Sequence, residues 1–185
     1  MDTFNPDTYC GINCSACSIA MYGKTGITDV FAACLESVPK EDIVCGGCKS
    51  DNVYYGCRIC TLRSCALEKN VEHCIDCPDY PCKNYIKWQG VAKFLPHIHE
   101  AETSLETIKH DGVEHWLDSQ KKRWSCPSCG TPFSWYTSIC SKCGHSLVLK
   151  AHKLSVWRKI FCKLVLPMVY RKGKAKSKSV YRDRE

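Results

Sequence analysis

The sequence predicts a small α+β protein ordered by metal rather than by a large apolar core, and three observations carry that expectation. Seventeen of its 185 residues are cysteine, and most stand in C-x-x-C pairs, a spacing at which two thiolates reach one metal ion. The cysteine-free stretch from residue 83 to 123 repeats its apolar positions at helical intervals. The segment Thr131 to Ile139 is rich in β-branched and aromatic residues and lies between two cysteine pairs, so it reads as a β-hairpin.

Residues 1–82 hold twelve of the cysteines and are expected to form an irregular, metal-stabilised domain. The candidate ligands are Cys10, Cys14 and Cys17, then Cys45 and Cys48, then two triplets. Cys57, Cys60 and Cys65 recur at the same spacing as Cys74, Cys77 and Cys82, an offset of 17 residues. This echo reads as two related metal-binding loops. Cys34 lies in the apolar stretch VFAACLESV and is assigned to the core, because free cysteine is among the most buried residue types. His73, beside Cys74, reads as an exposed turn residue, with a role as substitute ligand the alternative.

Thiolate-rich sites serve both zinc and iron–sulfur clusters, and both stay open for this domain. The prolines beside Cys77 and Cys82 favour a cluster, as in ferredoxins. The Cys10/Cys14/Cys17 spacing is also that of radical S-adenosylmethionine enzymes. Ala16, however, stands where those enzymes usually carry an aromatic residue, and no repeated βα pattern supplies their barrel.

Residues 83–123 are expected to form a helical segment packed on this domain. Ile98, Ala101, Leu105 and Ile108 share one helix face. A second helix is expected from about Asp111-Gly112 through Val113, Trp116 and Leu117. Its end, Lys121-Lys122-Arg123, complements the helix dipole. His97 and His99 read as solvated residues at a helix start.

Residues 124–149 are expected to form a zinc ribbon. Cys126-Pro-Ser-Cys129-Gly and Cys140-Ser-Lys-Cys143-Gly each form a knuckle, whose glycine admits the left-handed conformation that closes the turn. Cys126, Cys129, Cys140 and Cys143 would bind one Zn2+ tetrahedrally, leaving His145 as a turn residue.

Residues 150–185 carry 12 basic and 2 acidic side chains, whereas residues 1–149 carry 14 basic and 17 acidic. Leu154, Trp157, Ile160, Phe161, Leu164, Val165 and Met168 fall on one side of an expected basic amphipathic helix limited by Pro167, and the chain from Gly173 onward is expected to be disordered. Such a helix suits an anionic membrane surface through residues 153–170, an unidentified protein partner, or docking on its own body. Nucleic acid is a less favoured partner, since the body is acidic. A membrane span needs about 20 apolar residues, and no such run exists. The start, MDTFNPDTYC, has no signal-peptide pattern, so the expectation is a reducing cytoplasm, peripheral to the inner face of the membrane if the helix binds lipid.

The segments YCGINCSACSIA, CGGCKSD and CRICTLRSCALEKNVEHCIDCPDYPCKNY resemble an uncharacterised cysteine-rich prokaryotic family, domain of unknown function thirty-seven ninety-five. FLPHIHEAETSLETIKHDGVEHWLDSQKKRWSCPSCG resembles its members with an appended zinc ribbon, so the resemblance runs from about residue 8 to 146. It implies metal binding and no defined activity. No nucleophile–base pair or phosphate loop stands out; Gly23-Lys24-Thr25 lacks the upstream glycine of a P-loop. The functional expectation is a zinc-binding scaffold or adaptor without assignable catalysis. An iron–sulfur redox protein and a nucleic-acid-binding zinc-ribbon protein are the alternatives.

Overall fold

Helices supply the regular structure of residues 4–182, the part of the chain described by the computed structural model. In order they are α1 (Ser18–Thr25), α2 (Tyr55–Arg58), α3 (Thr61–Lys69), α4 (Lys83–Gln89), α5 (Ala101–Asp111), α6 (Val113–Arg123) and α7 (Val156–Arg182), linked by loops and short 3-10 turns. No strand occurs among the described residues. Two isolated antiparallel bridges, Ser125 to Pro132 and Ile139 to Ser146, are the β pairing found there. The expected α+β class is therefore corrected to a mostly helical fold.

The ribbon hairpin is corrected for the same reason. The backbone of the Thr131–Ile139 loop is committed elsewhere: Trp135 N donates to Ala16 O (3.0 Å), His152 N donates to Trp135 O (2.7 Å), and Thr137 N closes a turn on Ser134 O (3.0 Å). Phe133, Trp135 and Tyr136 are buried core residues. Their β propensity was a signal of burial rather than of a ladder.

Two apolar clusters hold the molecule together. The larger joins Ala16, Ile19, Phe31, Cys34 and Leu35 to Trp124, Phe133, Trp135, Tyr136 and Leu147, and to Cys162 and Tyr170 of α7. The N-terminal stretch, the knuckle stretch and the C-terminal helix thus share one core. The smaller cluster packs Leu62 of α3, Tyr85 of α4, Leu105 and Ile108 of α5 and Trp116 of α6. The helical spacing read from the sequence is realised here, with Ala101, Leu105 and Ile108 buried along α5. Ile98 is buried one turn earlier, in the 3-10 turn Pro96–Glu100. Helix α6 ends on Lys121, Lys122 and Arg123, as its dipole favours, and α5 carries Lys109 in its last turn before ending on Asp111.

His97 is not a solvated helix-start residue. It is buried, stacked on Trp135 with ring centroids 3.9 Å apart, and its Nδ1 lies 2.7 Å from the Tyr136 phenol oxygen Oη. Burial, reinforced by His152, pushes its pKa down to about 3. A histidine depressed in the folded state contributes stability above its unfolded value of about 6.5, and that contribution is lost as pH falls toward the folded value. Lowering the pH from 7 to 5 should therefore cost about 2 kcal/mol through this residue. Urea titrations at the two pH values check this. His97→Phe should flatten the difference, and an unchanged pH dependence in that variant would exclude His97 as its source.

The tail differs from expectation in two respects. Pro167 lies inside α7 rather than ending it, and helix continues past Gly173 to Arg182; residues 183–185 of the tail lie outside the described residues. Tertiary anchors explain the persistence. Tyr170 and Lys174 both bond to Asp42, and Arg58 Nη1 donates to Ser177 Oγ (2.9 Å). The expected apolar side is also divided. Leu154 is buried and Phe161 stacks on Phe94 (3.9 Å), while Trp157, Ile160, Leu164 and Met168 face solvent. No helix among the described residues is long and apolar enough to cross a membrane.

Candidate metal centres

The knuckles build the first centre from purely local geometry. Cys126 N donates to Thr131 O (2.9 Å) and Gly130 N to Cys126 O (2.8 Å). Cys140 N donates to His145 O (2.9 Å) and Gly144 N to Cys140 O (3.0 Å). Gly130 and Gly144 sit at φ +71° and +72°, the left-handed conformation that returns each chain under its sulfurs. The result is four sulfurs all within 4.8 Å of one another, with Cys126 to Cys143 at 3.7 Å and Cys129 to Cys140 at 3.6 Å. A tetrahedral ion with Zn–S bonds of about 2.3 Å holds its sulfurs about 3.8 Å apart. The donor set fits one such ion.

The surroundings favour the thiolate form at Cys129 and Cys140, whereas at Cys143 the His145 amide works to lower the pKa but the neighbouring thiols push it up to about 11. The Thr131 hydroxyl and amide at Cys129 lower its pKa to about 6. The amides of Cys143 and Lys142 lower that of Cys140. Thr131 is a contributor the sequence reading missed, although its place just after the first C-x-x-C-G was the available signal. His145 stays exposed and contributes its carbonyl to the turn.

The eleven N-terminal ligand candidates are arranged differently. Among the described residues, they form no group of three or more with every sulfur within 4.8 Å. Instead they gather in neighbouring sets. Cys14 has Cys17, Cys48, Cys45 and Cys57 as its electrostatic neighbours, and Cys57 has Cys17 and Cys45 first among its own. Cys10 neighbours Cys48, Cys60 and Cys74. Cys65, Cys74, Cys77 and Cys82 line one cavity of about 20 Å³ with Leu62, Ala66 and Tyr80. The two echoed triplets are thus treated unequally. Cys74, Cys77 and Cys82 all line that cavity, whereas of the other triplet Cys65 alone does.

Short turns present these sulfurs. Cys17 N donates to Cys14 O (3.2 Å), Cys60 N to Cys57 O (3.2 Å) and Cys77 N to Cys74 O (3.3 Å), the same bond in these three C-x-x-C pairs. Gly47 N donates to the Cys45 sulfur (3.4 Å). Lys69 Nζ lies 3.6 Å from the Cys77 sulfur and also pairs with Asp79, a cation that spacing alone does not reveal. Burial, then the neighbouring thiols, push Cys10, Cys14 and Cys57 well above the usual thiol range and Cys17 and Cys74 up to about 12. Crowded, desolvated thiols give up their protons only to a centre that brings positive charge. This chemistry fits metal.

Two sequence expectations resolve here. His73 is buried rather than exposed, and carboxylates take both ring nitrogens: Asp7 at 3.0 Å from Nε2 and Asp76 at 3.3 Å from Nδ1. It is therefore not placed as a ligand. Burial works against ionisation of Asp7, but hydrogen bonds from His73 and Lys49 outweigh it and hold the carboxyl below the usual range. Cys34 is buried beside Cys162 of α7, in the core to which the sequence assigned it.

No curated protein and no solved structure matches the chain. Residues 7–87 match a family model described as "Protein of unknown function (DUF3795)". The match spans all eleven N-terminal ligand candidates and ends before the knuckles, so the appended ribbon stands outside it. The chain is a cysteine-rich protein that carries a DUF3795 domain over residues 7–87.

Proposed function

We propose that this is a metal-binding protein with two kinds of centre: one structural zinc ion on the knuckles, and iron–sulfur clusters on the N-terminal cysteines that make the domain an electron carrier. The observation that carries the division is the contrast in sulfur spacing. Cys126, Cys129, Cys140 and Cys143 converge to the separation one ion requires. The N-terminal thiols gather without converging to it. In a cluster each cysteine binds its own iron, so its sulfurs stand farther apart than around a single ion. On this reading Cys14, Cys17, Cys45 and Cys57 form one ligand set and Cys65, Cys74, Cys77 and Cys82 another. Cys10, Cys48 and Cys60 lie between them. When bound, a cluster takes up and releases single electrons. The closed four-thiolate zinc shell offers no position for a substrate and serves the fold.

Purification without oxygen, followed by metal and sulfide analysis and an absorption spectrum, tests this. Iron and acid-labile sulfide, with a visible absorption that dithionite bleaches, are expected alongside one zinc per chain. Cys45→Ser and Cys82→Ser should each remove part of the iron and leave the zinc. Zinc in every site with no sulfide would replace this reading with the zinc scaffold.

A further inference from the structure

α7 is embedded on one side and unpartnered on the other. Its inner side carries Cys162, Tyr170 and Gly173, all buried. Gly173 lies so close to α2 that a Cβ there would stand 1.8 Å from Tyr55 O, so a side chain at this position would force the helices apart. Lys163 pairs with Glu36 (3.0 Å) and Arg158 Nε donates to Lys93 O (2.9 Å). The helix is thereby held in one orientation along the body.

That orientation fixes what the outer side displays. Val156 is 71% exposed, Trp157 80%, Ile160 45%, Leu164 66% and Met168 54%. At about 100° per residue these five fall within an arc of about 120°. Arg171 continues the stripe one turn beyond Met168, Lys159 and Lys172 border it, and Lys153 precedes the helix. All four are exposed. No acidic residue occurs between positions 150 and 182. Soluble proteins rarely leave so continuous an apolar stripe uncovered.

We propose that this outer face of α7 seats the protein on an anionic membrane surface. The charge pattern selects the occupant. An apolar stripe on a helix whose own charged residues are all cations matches the boundary between acyl chains and acidic headgroups, and a tryptophan indole is at home at that depth. The helix lies on the bilayer and does not cross it. The turn that presents Cys57 sits on the opposite side, since α7 turns its buried side to α2, which carries Cys57. The embedded side and the membrane side belong to one helix, so docking on the body and binding to lipid are not alternatives here.

The test is sedimentation of the full metal-loaded chain with vesicles of phosphatidylcholine alone and of phosphatidylcholine mixed with phosphatidylglycerol. Binding is expected only to the mixed vesicles, weakening at least tenfold in high salt. Leu164→Asp and the double change Arg171→Glu with Lys172→Glu should each lower affinity at least tenfold. Metal content and thermal melting should not change, because these side chains touch no core. Failure of the unaltered chain to bind mixed vesicles would overturn the proposal. So would equal binding to neutral vesicles, unaltered binding by Leu164→Asp, or a stable dimer in solution that Leu164→Asp dissolves.

Discussion

Stripped of metal, the chain should lose the tertiary structure of residues 7–87 altogether. The elements there are short: α1 has eight residues, α2 four, α3 nine and α4 seven. Isolated helices below about 12 residues are marginal in water. These helices bury few side chains, Ile19 and Ala20 on α1, Leu62 and Ala66 on α3 and Tyr85 on α4, and eleven half-buried or exposed cysteines stand in them and in the turns around them. A structural thiolate–metal site contributes on the order of 10 kcal/mol at neutral pH, whereas the net stability of a whole domain is about 5–15 kcal/mol. Loss of even one such site removes most of the margin. Hydrogen exchange before and after a strong chelator, or acid for a cluster, measures this directly. Amides that donate inside the cysteine turns, such as those of Cys17, Cys60 and Cys77, should exchange as in an unfolded chain. Undiminished protection in the metal-free protein would show that the apolar clusters suffice.

Cys129→Ser should unfold more than the knuckles. The change opens the four-thiolate shell and leaves Cys126, Cys140 and Cys143 to hold the ion, at a cost of several kcal/mol. Were the knuckle segment a separate ribbon, the loss would stop at its ends. Here Tyr136 stacks on Phe31 (5.5 Å between centroids), Trp135 stacks on His97 and bonds Ala16 O through its amide, and Ser134 bonds Asp29. Ala16, Asp29 and Phe31 all lie within the matched residues 7–87. The expected result is a melting temperature lowered by at least about 10 °C, as several kcal/mol produces in a chain this size. The amides of Met21, Ala33 and Cys34 should lose protection together with those of Cys126 and Cys140. Loss confined to residues 124–147 would show that the shared core does not couple the two parts.

What was legible in the sequence was local. A C-x-x-C-G knuckle is complete within a few residues: two sulfurs, the amides that turn beneath them and a glycine for the left-handed step. Cys126, Cys129, Cys140 and Cys143 accordingly meet where the spacing says they should. Helices α5 and α6 were legible for a similar reason, because Leu105, Ile108 and Trp116 recur at the period of the element that buries them. Aromatic and β-branched residues misled between Thr131 and Ile139. Such residues are equally at home in a strand and in an aromatic core, and only the partners Phe31, His97 and Ala16 decide between them.

The residue types by themselves determined that this protein offers seventeen thiols, most of them paired at C-x-x-C spacing, and where each turn that presents them begins. Which thiols share a centre was decided by the tertiary structure, which brings Cys10 beside Cys48 and Cys60 and leaves Cys65 with Cys74, Cys77 and Cys82. Periodicity likewise marked α7 as amphipathic but not which of its apolar residues would be covered. Phe161 and Trp157 are one turn apart, and both are large aromatic residues. Phe161 is covered because Phe94 lies against it, and Trp157 is exposed because the close approach of Gly173 to Tyr55 turns that side of the helix away. Burial is a property of pairs of distant segments, and a single stretch of sequence carries only half of each pair.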